Sequence, residues 1–239
     1  MSRLADSALI ILAGGLGTRL RSVLPQGTPK PLAEVAGRPF LAWLLDRYAQ
    51  AGLRHLVVSS GYGAARMQAF LRAYHRPAGV FVHQVDEAEP LGTAGALAHA
   101  LPVARGDPLL AANGDTYAEV DYAALLAFHR ERRAEITLAL ARVDDSARYG
   151  RVDTEADGAV RAFVEKGGAG GAGLINAGVY VIARRVLEAL PPQRPLSLEQ
   201  DVLPGYVGRG LYALPACGRF LDIGTPESYA SAAAFLRDG

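Results

Sequence analysis

The sequence carries a single cysteine, Cys217, so no disulfide can form within the chain and nothing demands an oxidising compartment. Cys217 reads as a small residue in or near a strand. Excess charge is also lacking: a formal net charge of +1 at pH 7 excludes the basic field with which a protein coats nucleic acid. Long apolar runs are missing. The start, MSRLADSALIILAGG, has too few consecutive apolar residues for the core of a secretion signal, and apolar stretches elsewhere are broken by Arg, Glu, Pro or Gly. There is no internal repeat, and the one low-complexity piece, 167–173, reads as a loop. His55, His75, His83, His99 and His129 show neither metal-ligand spacing nor a Ser or Cys nucleophile beside them, and read as structural. What remains is a globular chain expected in the cytoplasm, with no nucleic-acid or membrane partner.

The 239 residues present suffice to bury roughly three quarters of the unfolded surface in one α/β domain. Residues 8–13 (ALIILA) form a continuous apolar run ending in glycines, as a strand covered on both faces of a parallel sheet should. Phe40, Trp43, Leu44 and Tyr48 recur at helical spacing, and Gly52 is placed to end that helix. Strands are expected at 53–60, 80–85 and 108–113, alternating with helices at 62–74 and 93–101. That alternation predicts βαβ units and a doubly wound, mostly parallel sheet whose ligands lie beyond the carboxyl ends of its strands. Farther on, 135–140, 150–154, 159–165 and 174–182 read as strands, with Asp157-Gly158 turning a hairpin. Helical patterns near 183–190 and 197–203 precede a short strand ending at Ile223 and a closing helix begun by Thr225-Pro226.

The most informative stretch is LAGGLGTRLRSVLPQGTPKPL (12–32), with Gly14, Gly15 and Gly17 just after the first strand, then Arg19, then Lys30 between two prolines. Closely spaced glycines let backbone N–H groups turn inward as an anion nest and let the main chain approach a polyphosphate. Arg19 and Lys30 add charge. The stretch lacks the Gly-Lys-Ser/Thr end of a P-loop and the third glycine of the dinucleotide fingerprint, so neither motif applies. Asp115 follows the apolar strand 108–113, where a carboxylate would project from a strand end, and Asp222, after Phe220 and Leu221, is a second acid so placed. Taken singly, either is equally a cap or turn residue.

The GGxGTRL…PKPL string resembles the signature of the sugar nucleotidyltransferases, or nucleoside-diphosphate-sugar pyrophosphorylases. EPLGTAGAL (89–97), NGDTY (113–117), RYGRV (148–152), FVEKG (163–167), LINAGVYV (174–181) and FLDIGTPESY (220–229) resemble further motifs of that family, in order. The resemblance implies a Rossmann-like nucleotidyltransferase fold with a small sugar-side lobe. The nucleotide lies over the half at about 8–117 and the sugar phosphate over the half at about 118–239, with Mg2+ between them, on Asp115 and Asp222. It assigns the nucleotide to Leu12, Ala13, Gly14, Gly15, Gly17, Thr18, Arg19, Lys30, Glu87, Glu89, Gly92, Thr93, Asn113 and Gly114. It assigns the sugar phosphate to Tyr149, Gly150, Glu165, Lys166 and Asn176. Without it, Glu165-Lys166 reads equally as an exposed ion pair.

The implied partners are a nucleoside triphosphate and a sugar 1-phosphate. A phosphate oxygen attacks the α-phosphorus in line and pyrophosphate leaves; a phosphate dianion is already a nucleophile at pH 7, so the protein's work is positioning and offsetting repulsion. Arg19, Lys30, Asp115, Lys166 and Asp222 are the expected catalytic set. GLINAGVY, LSLEQDVL and FLDIGTPESY look most like the D-glycero-α-D-manno-heptose 1-phosphate guanylyltransferases, with mannose 1-phosphate or another sugar 1-phosphate as alternatives. Guanine presents adjacent N–H donors, for which Glu87 and Glu89 are candidate acceptors. A non-catalytic nucleotide-sugar-binding subunit is the reading of another class, and monomer and small homo-oligomer both stay open.

Overall fold

A strand buried on both faces needs two layers of cover, and β1 (Ala8–Leu12) has them: Leu9 and Ile11 join one apolar core, Ala8 and Ile10 another. Each fully buried Leu or Ile contributes about 1.5–3 kcal/mol. The computed structural model describes residues 4–147, 149–164, 171–191 and 195–237. After β1 come the two-residue strands β2 (Glu34–Val35) and β3 (Arg38–Pro39), then α1 (Phe40–Gln50), β4 (His55–Ser60), α2 (Ala64–Ala73), β5 (Phe81–Asp86), α3 (Gly92–Ala100) and β6 (Leu109–Asn113). The second half holds β7 (Thr116–Val120), α4 (Tyr122–Glu131), β8 (Ile136–Val143), β9 (Arg151–Thr154), β10 (Val160–Val164), β11 (Gly173–Ile182), α5 (Arg184–Glu188), β12 (Leu211–Asp222) and α6 (Pro226–Arg237).

Eight strands make one sheet in the order β5-β4-β1-β6-β11-β8-β12-β7. The block β5-β4-β1-β6 is parallel, as the alternation predicts, and β12 runs parallel to β8, while β11 and β7 pair antiparallel. Residues of α1, α4 and α6 cover one face; α3, α5 and the segment 196–203 cover the other. The expected hairpin is present as β9–β10, a separate two-stranded sheet turned at Asp157-Gly158, with Gly158 at φ +89°.

Three features differ from the sequence reading. Nothing was expected between 118 and 134, yet β7 and α4 fill that stretch. β7 is an edge strand whose burial alternates residue by residue, and the Asp121 carboxylate caps α4 by accepting from Ala124 N–H at 2.9 Å. β12 is far longer than a short strand: Pro215 and Gly218 interrupt its pattern, and the register shifts against β8 and β7 fall around them. Last, 197–203 is not a regular helix but a wide π turn, Leu198–Val202, running into a 3-10 turn, Leu203–Tyr206.

Candidate functional site

The carboxyl ends of β1 and β6, the residues just after β5 and the start of α3 enclose a cavity of about 380 Å³. Leu12, Ala13, Gly14, Gly15, Gly17, Thr18, Arg19, Lys30, Glu87, Gly92, Thr93, Asn113 and Asp115 all border it. Of the residues assigned above to the nucleotide, two stand elsewhere. Glu89 is exposed and outside the lining, and Gly114 is buried behind it, where a Cβ would come within 2.7 Å of the Leu12 carbonyl oxygen. Glu87 keeps its place, but its carboxylate already accepts from the Ser59 hydroxyl at 2.9 Å and the Leu91 N–H at 3.3 Å.

A second cavity of about 420 Å³ opens between β9–β10, β11, the 197–200 segment and the end of β12. Tyr149, Gly150 and Asn176 border it, as do Tyr180, Glu199 and Phe220. A bulge in β11 between Asn176 and Tyr180 breaks its pairing with β8, and Gly178 sits there at φ +68°. Asn113 packs against that glycine and borders both cavities. Glu165 and Lys166, assigned above to the sugar phosphate, lie outside the described residues, as do 167–170 of the glycine loop.

Where the two cavities meet stand the two aspartates. Asp222 pairs across β7–β12 with Thr116, and Ile223 N–H donates to the Asp115 carbonyl at 3.0 Å, so the start of β7, with Asp115 just before it, is tied to the end of β12. The Lys30 ammonium lies between the carboxylates, ion-paired to Asp115 and 3.7 Å from Asp222 Oδ1. Lys30 is reached through the turn Lys30–Leu32 and its side chain is only 10% exposed. Burial pushes the Asp222 carboxyl above the usual carboxylate range and the Asp115 charge adds to this, while Lys30, the Gly224 N–H and Arg19 oppose it.

Asp222 Oδ1 is buried and receives no hydrogen bond. An orphaned anionic oxygen beside a second carboxylate fits a hard divalent cation. Among the described residues no third acid, His or Cys completes a protein-only cage, so a cation held here keeps positions for substrate oxygens and water.

The sequence reading missed Tyr180 and Glu199. Ser197 accepts from Gln200 N–H at 3.1 Å, so Ser-Leu-Glu reads locally as an ordinary helix cap, and the partners that give Glu199 its meaning are far away in the chain. Glycines separate folding needs from ligand needs. At Gly92, with φ +69°, a Cβ would sit 2.7 Å from the Leu196 carbonyl carbon and 2.8 Å from its nitrogen; at Gly15 nothing lies within 4 Å. Gly92→Ala should therefore cost about 2–4 kcal/mol in a denaturant titration. Gly15→Ala should melt like wild type yet weaken triphosphate binding by about tenfold or more, because only a ligand competes for that space. Equal thermal losses in both variants would remove the distinction.

A family model described as nucleotidyl transferase matches residues 8–239. A mannose-1-phosphate guanylyltransferase of Mycobacterium tuberculosis is 38% identical over 233 residues, 96% of this chain and 64% of that protein. A mannose-1-phosphate guanylyltransferase catalytic subunit beta of Danio rerio is 34% identical over 92% of this chain and 62% of its own length. The chain thus spans less than two thirds of these curated relatives. The crystal structure of HddC from Yersinia pseudotuberculosis aligns with a TM-score of 0.83 at 33% identity, covering 96% of this chain and 99% of that one. A second HddC structure, complexed with GMP-PN, aligns at 0.81. Among the described residues no helix is long and apolar enough to cross a membrane. The glycine loop, both cavities and the aspartate pair between them all fall inside the matched span, and the chain belongs to the nucleotidyl transferase family.

Proposed function

We propose that this chain transfers GMP from GTP to a manno-configured sugar 1-phosphate, preferentially D-glycero-α-D-manno-heptose 1-phosphate, giving a nucleotide sugar and pyrophosphate. The observation that carries the reading is that two cavities, one floored by a glycine loop, meet at Lys30, Asp115 and Asp222. Nucleotidyl transfer needs two anions brought together, and this junction is where they would meet. We assign the triphosphate to the loop and Arg19, with the half at about 8–117, and the sugar phosphate to the second cavity. The whole chain acts as one domain, in the cytoplasm with its soluble substrates.

The attacking oxygen belongs to the sugar phosphate and needs no general base. Arg19 and Lys30 offset charge on the triphosphate as the bond to the α-phosphorus forms and pyrophosphate departs opposite, while Lys166 is assigned to the sugar phosphate. Asp115 and Asp222 would hold Mg2+, which supplies positive charge to phosphate oxygens when bound.

Guanine is favoured by the names of the relatives, both guanylyltransferases, and by GMP-PN in the HddC structure. Of the two candidate acceptors for its N–H edge, Glu87 borders the cavity and Glu89 does not. Mannose 1-phosphate is the second reading for the sugar, favoured by the same names. Pyrophosphate release measured for GTP, ATP, UTP, CTP and dTTP against several sugar 1-phosphates tests both. GTP should lead by roughly 100-fold in kcat/KM, since a buried edge that hydrogen-bonds one base leaves groups unpaired with another. Comparable values for UTP or CTP would defeat the guanylyl assignment, and no turnover with any pair would favour a nucleotide-sugar-binding subunit.

A further inference from the structure

Between the two cavities runs a chain of side-chain hydrogen bonds ending on one carboxylate. Glu199 Oε2 accepts from the Thr93 hydroxyl at 3.0 Å and from the Ser197 hydroxyl at 3.3 Å, and Oε1 accepts from the Tyr180 hydroxyl at 2.8 Å. Each hydroxyl is itself an acceptor: Thr93 from Leu198 N–H at 2.6 Å, Ser197 from Gln200 N–H at 3.1 Å, and Tyr180 from the Asn176 amide at 2.9 Å. Asn176 then accepts from Gly178 N–H at 3.0 Å, at the bulge of β11. Thr93 borders the first cavity; Asn176, Tyr180 and Glu199 border the second.

The direction of every bond is fixed. A hydroxyl has one proton to give, and here the opposite side of each hydroxyl faces an N–H that can only donate. Only an acceptor with lone pairs in several directions can end all three bonds, and an ionised carboxylate is that acceptor. Tyr180 is buried, and burial together with the Glu199 charge holds its phenol protonated, so it remains a donor. Main-chain bonds hold the same join independently: Ala94 N–H to Leu196 O at 2.9 Å and Leu196 N–H to Leu91 O at 2.8 Å.

We infer that Glu199 is a positioning residue that locks the wall of the second cavity, through Tyr180 and Asn176, in register with the start of α3 in the first, so that Thr93 acts on the second cavity's ligand although it borders the first. This rests on the nucleotidyl-transfer reading above and adds to it a coupling between its two halves.

The test is steady-state kinetics with GTP and the best sugar 1-phosphate, together with calorimetric nucleotide binding, on Glu199→Gln, Thr93→Val, Thr93→Ser and the Glu199→Gln/Thr93→Val double variant. In Glu199→Gln an amide N–H₂ must face a hydroxyl that cannot reverse, so the sugar-phosphate kcat/KM should fall by about tenfold or more, with the nucleotide Kd changed by less than about threefold. Thr93→Val should show the same one-sided defect, by about fivefold or more, Thr93→Ser should restore it, and the double variant should be no worse than Glu199→Gln alone within about twofold. A Thr93→Val defect confined to the nucleotide constants, or losses that simply multiply in the double variant, would overturn the coupling. Should a variant prove unfolded, Tyr180→Phe takes its place, with the same one-sided loss expected and a nucleotide-only or absent effect overturning it. A wild type inert with every substrate pair would remove the reaction reading and this inference together, whereas an active wild type with unaffected variants would remove the inference alone.

Discussion

Asp222→Asn should abolish turnover without weakening the fold. The carboxylate is buried with one oxygen lacking any donor, beside the like charge of Asp115, and the ammonium that compensates it is bound more closely to Asp115. Burying a charge with so little compensation is unfavourable, so the native aspartate costs stability that the isosteric amide returns. Loss of a hard anionic ligand at the junction of the cavities should lower kcat by about 1,000-fold or more, while the melting temperature of the metal-free protein stays within about 2 °C of wild type or rises. The pH dependence follows from the direction of the shift. A carboxyl whose proton affinity is higher in the folded chain than its usual value of 3.8 binds the proton more readily when folded, so its contribution improves as pH falls toward that range and worsens as pH rises. The metal-free stability curves of wild type and Asp222→Asn should therefore approach each other in acid and separate toward neutrality, with the variant above. A kcat within tenfold of wild type, or a melting temperature lowered by more than about 5 °C, would contradict the assignment.

The first cavity was legible because its chemistry is local: the buried run of β1, the glycines after it, Arg19 and Lys30 lie within one stretch, and Asp115 lies two residues past β6, the parallel neighbour of β1 in the sheet. Glycine spacing and apolar runs are properties of neighbours in sequence, and physics acts on them at short range. The second cavity is assembled from distant pieces. Thr93 and Glu199 meet across 106 positions, and the bulge that turns Asn176 inward exists only once β11 is paired with β8. A glutamate following a serine cap carries no local sign of such a role. Glu89 shows the converse: sequence proximity to Gly92 suggested a place in the cavity, but the turn before α3 leaves it in solvent while Glu87 faces inward. β7 and β12 were obscured by the same cause, since the alternation of an edge strand is weak and Pro215 with Gly218 is tolerated only because the ladder shifts register there.

Lys30→Met should lower turnover severely while making the empty site a better home for a divalent cation. Lys30 is one of two lysines in the sequence, the other being Lys166; arginine is used at every remaining Lys or Arg position. A compact ammonium fits between two carboxylates where a planar guanidinium does not, and the stem of Lys30 passes against Gly17, where an added Cβ would lie 3.2 Å from the lysine Cβ. On the proposed reaction Lys30 has two tasks. In the free protein it is the counter-ion of Asp115 and Asp222; with a triphosphate present, its charge is set to offset the anion arriving in the first cavity. Methionine keeps the length and removes the charge. Turnover should fall by about 100-fold or more, and the metal-free variant should lose about 1–3 kcal/mol, less than for a fully enclosed pair because Asp115 is about one-third exposed. A cation binding between these carboxylates must compete with the ammonium in wild type but not in the variant. The rise in melting temperature on adding Mg2+ without nucleotide should accordingly be larger for Lys30→Met than for wild type, with Asp222→Asn showing almost none. Lys30→Arg, which retains the charge but not the fit, should recover little of the lost turnover. A smaller Mg2+ effect in Lys30→Met than in wild type would mean that the lysine and the metal do not share these oxygens, and near-normal turnover in Lys30→Arg would mean that charge alone, rather than its placement, is what the position supplies.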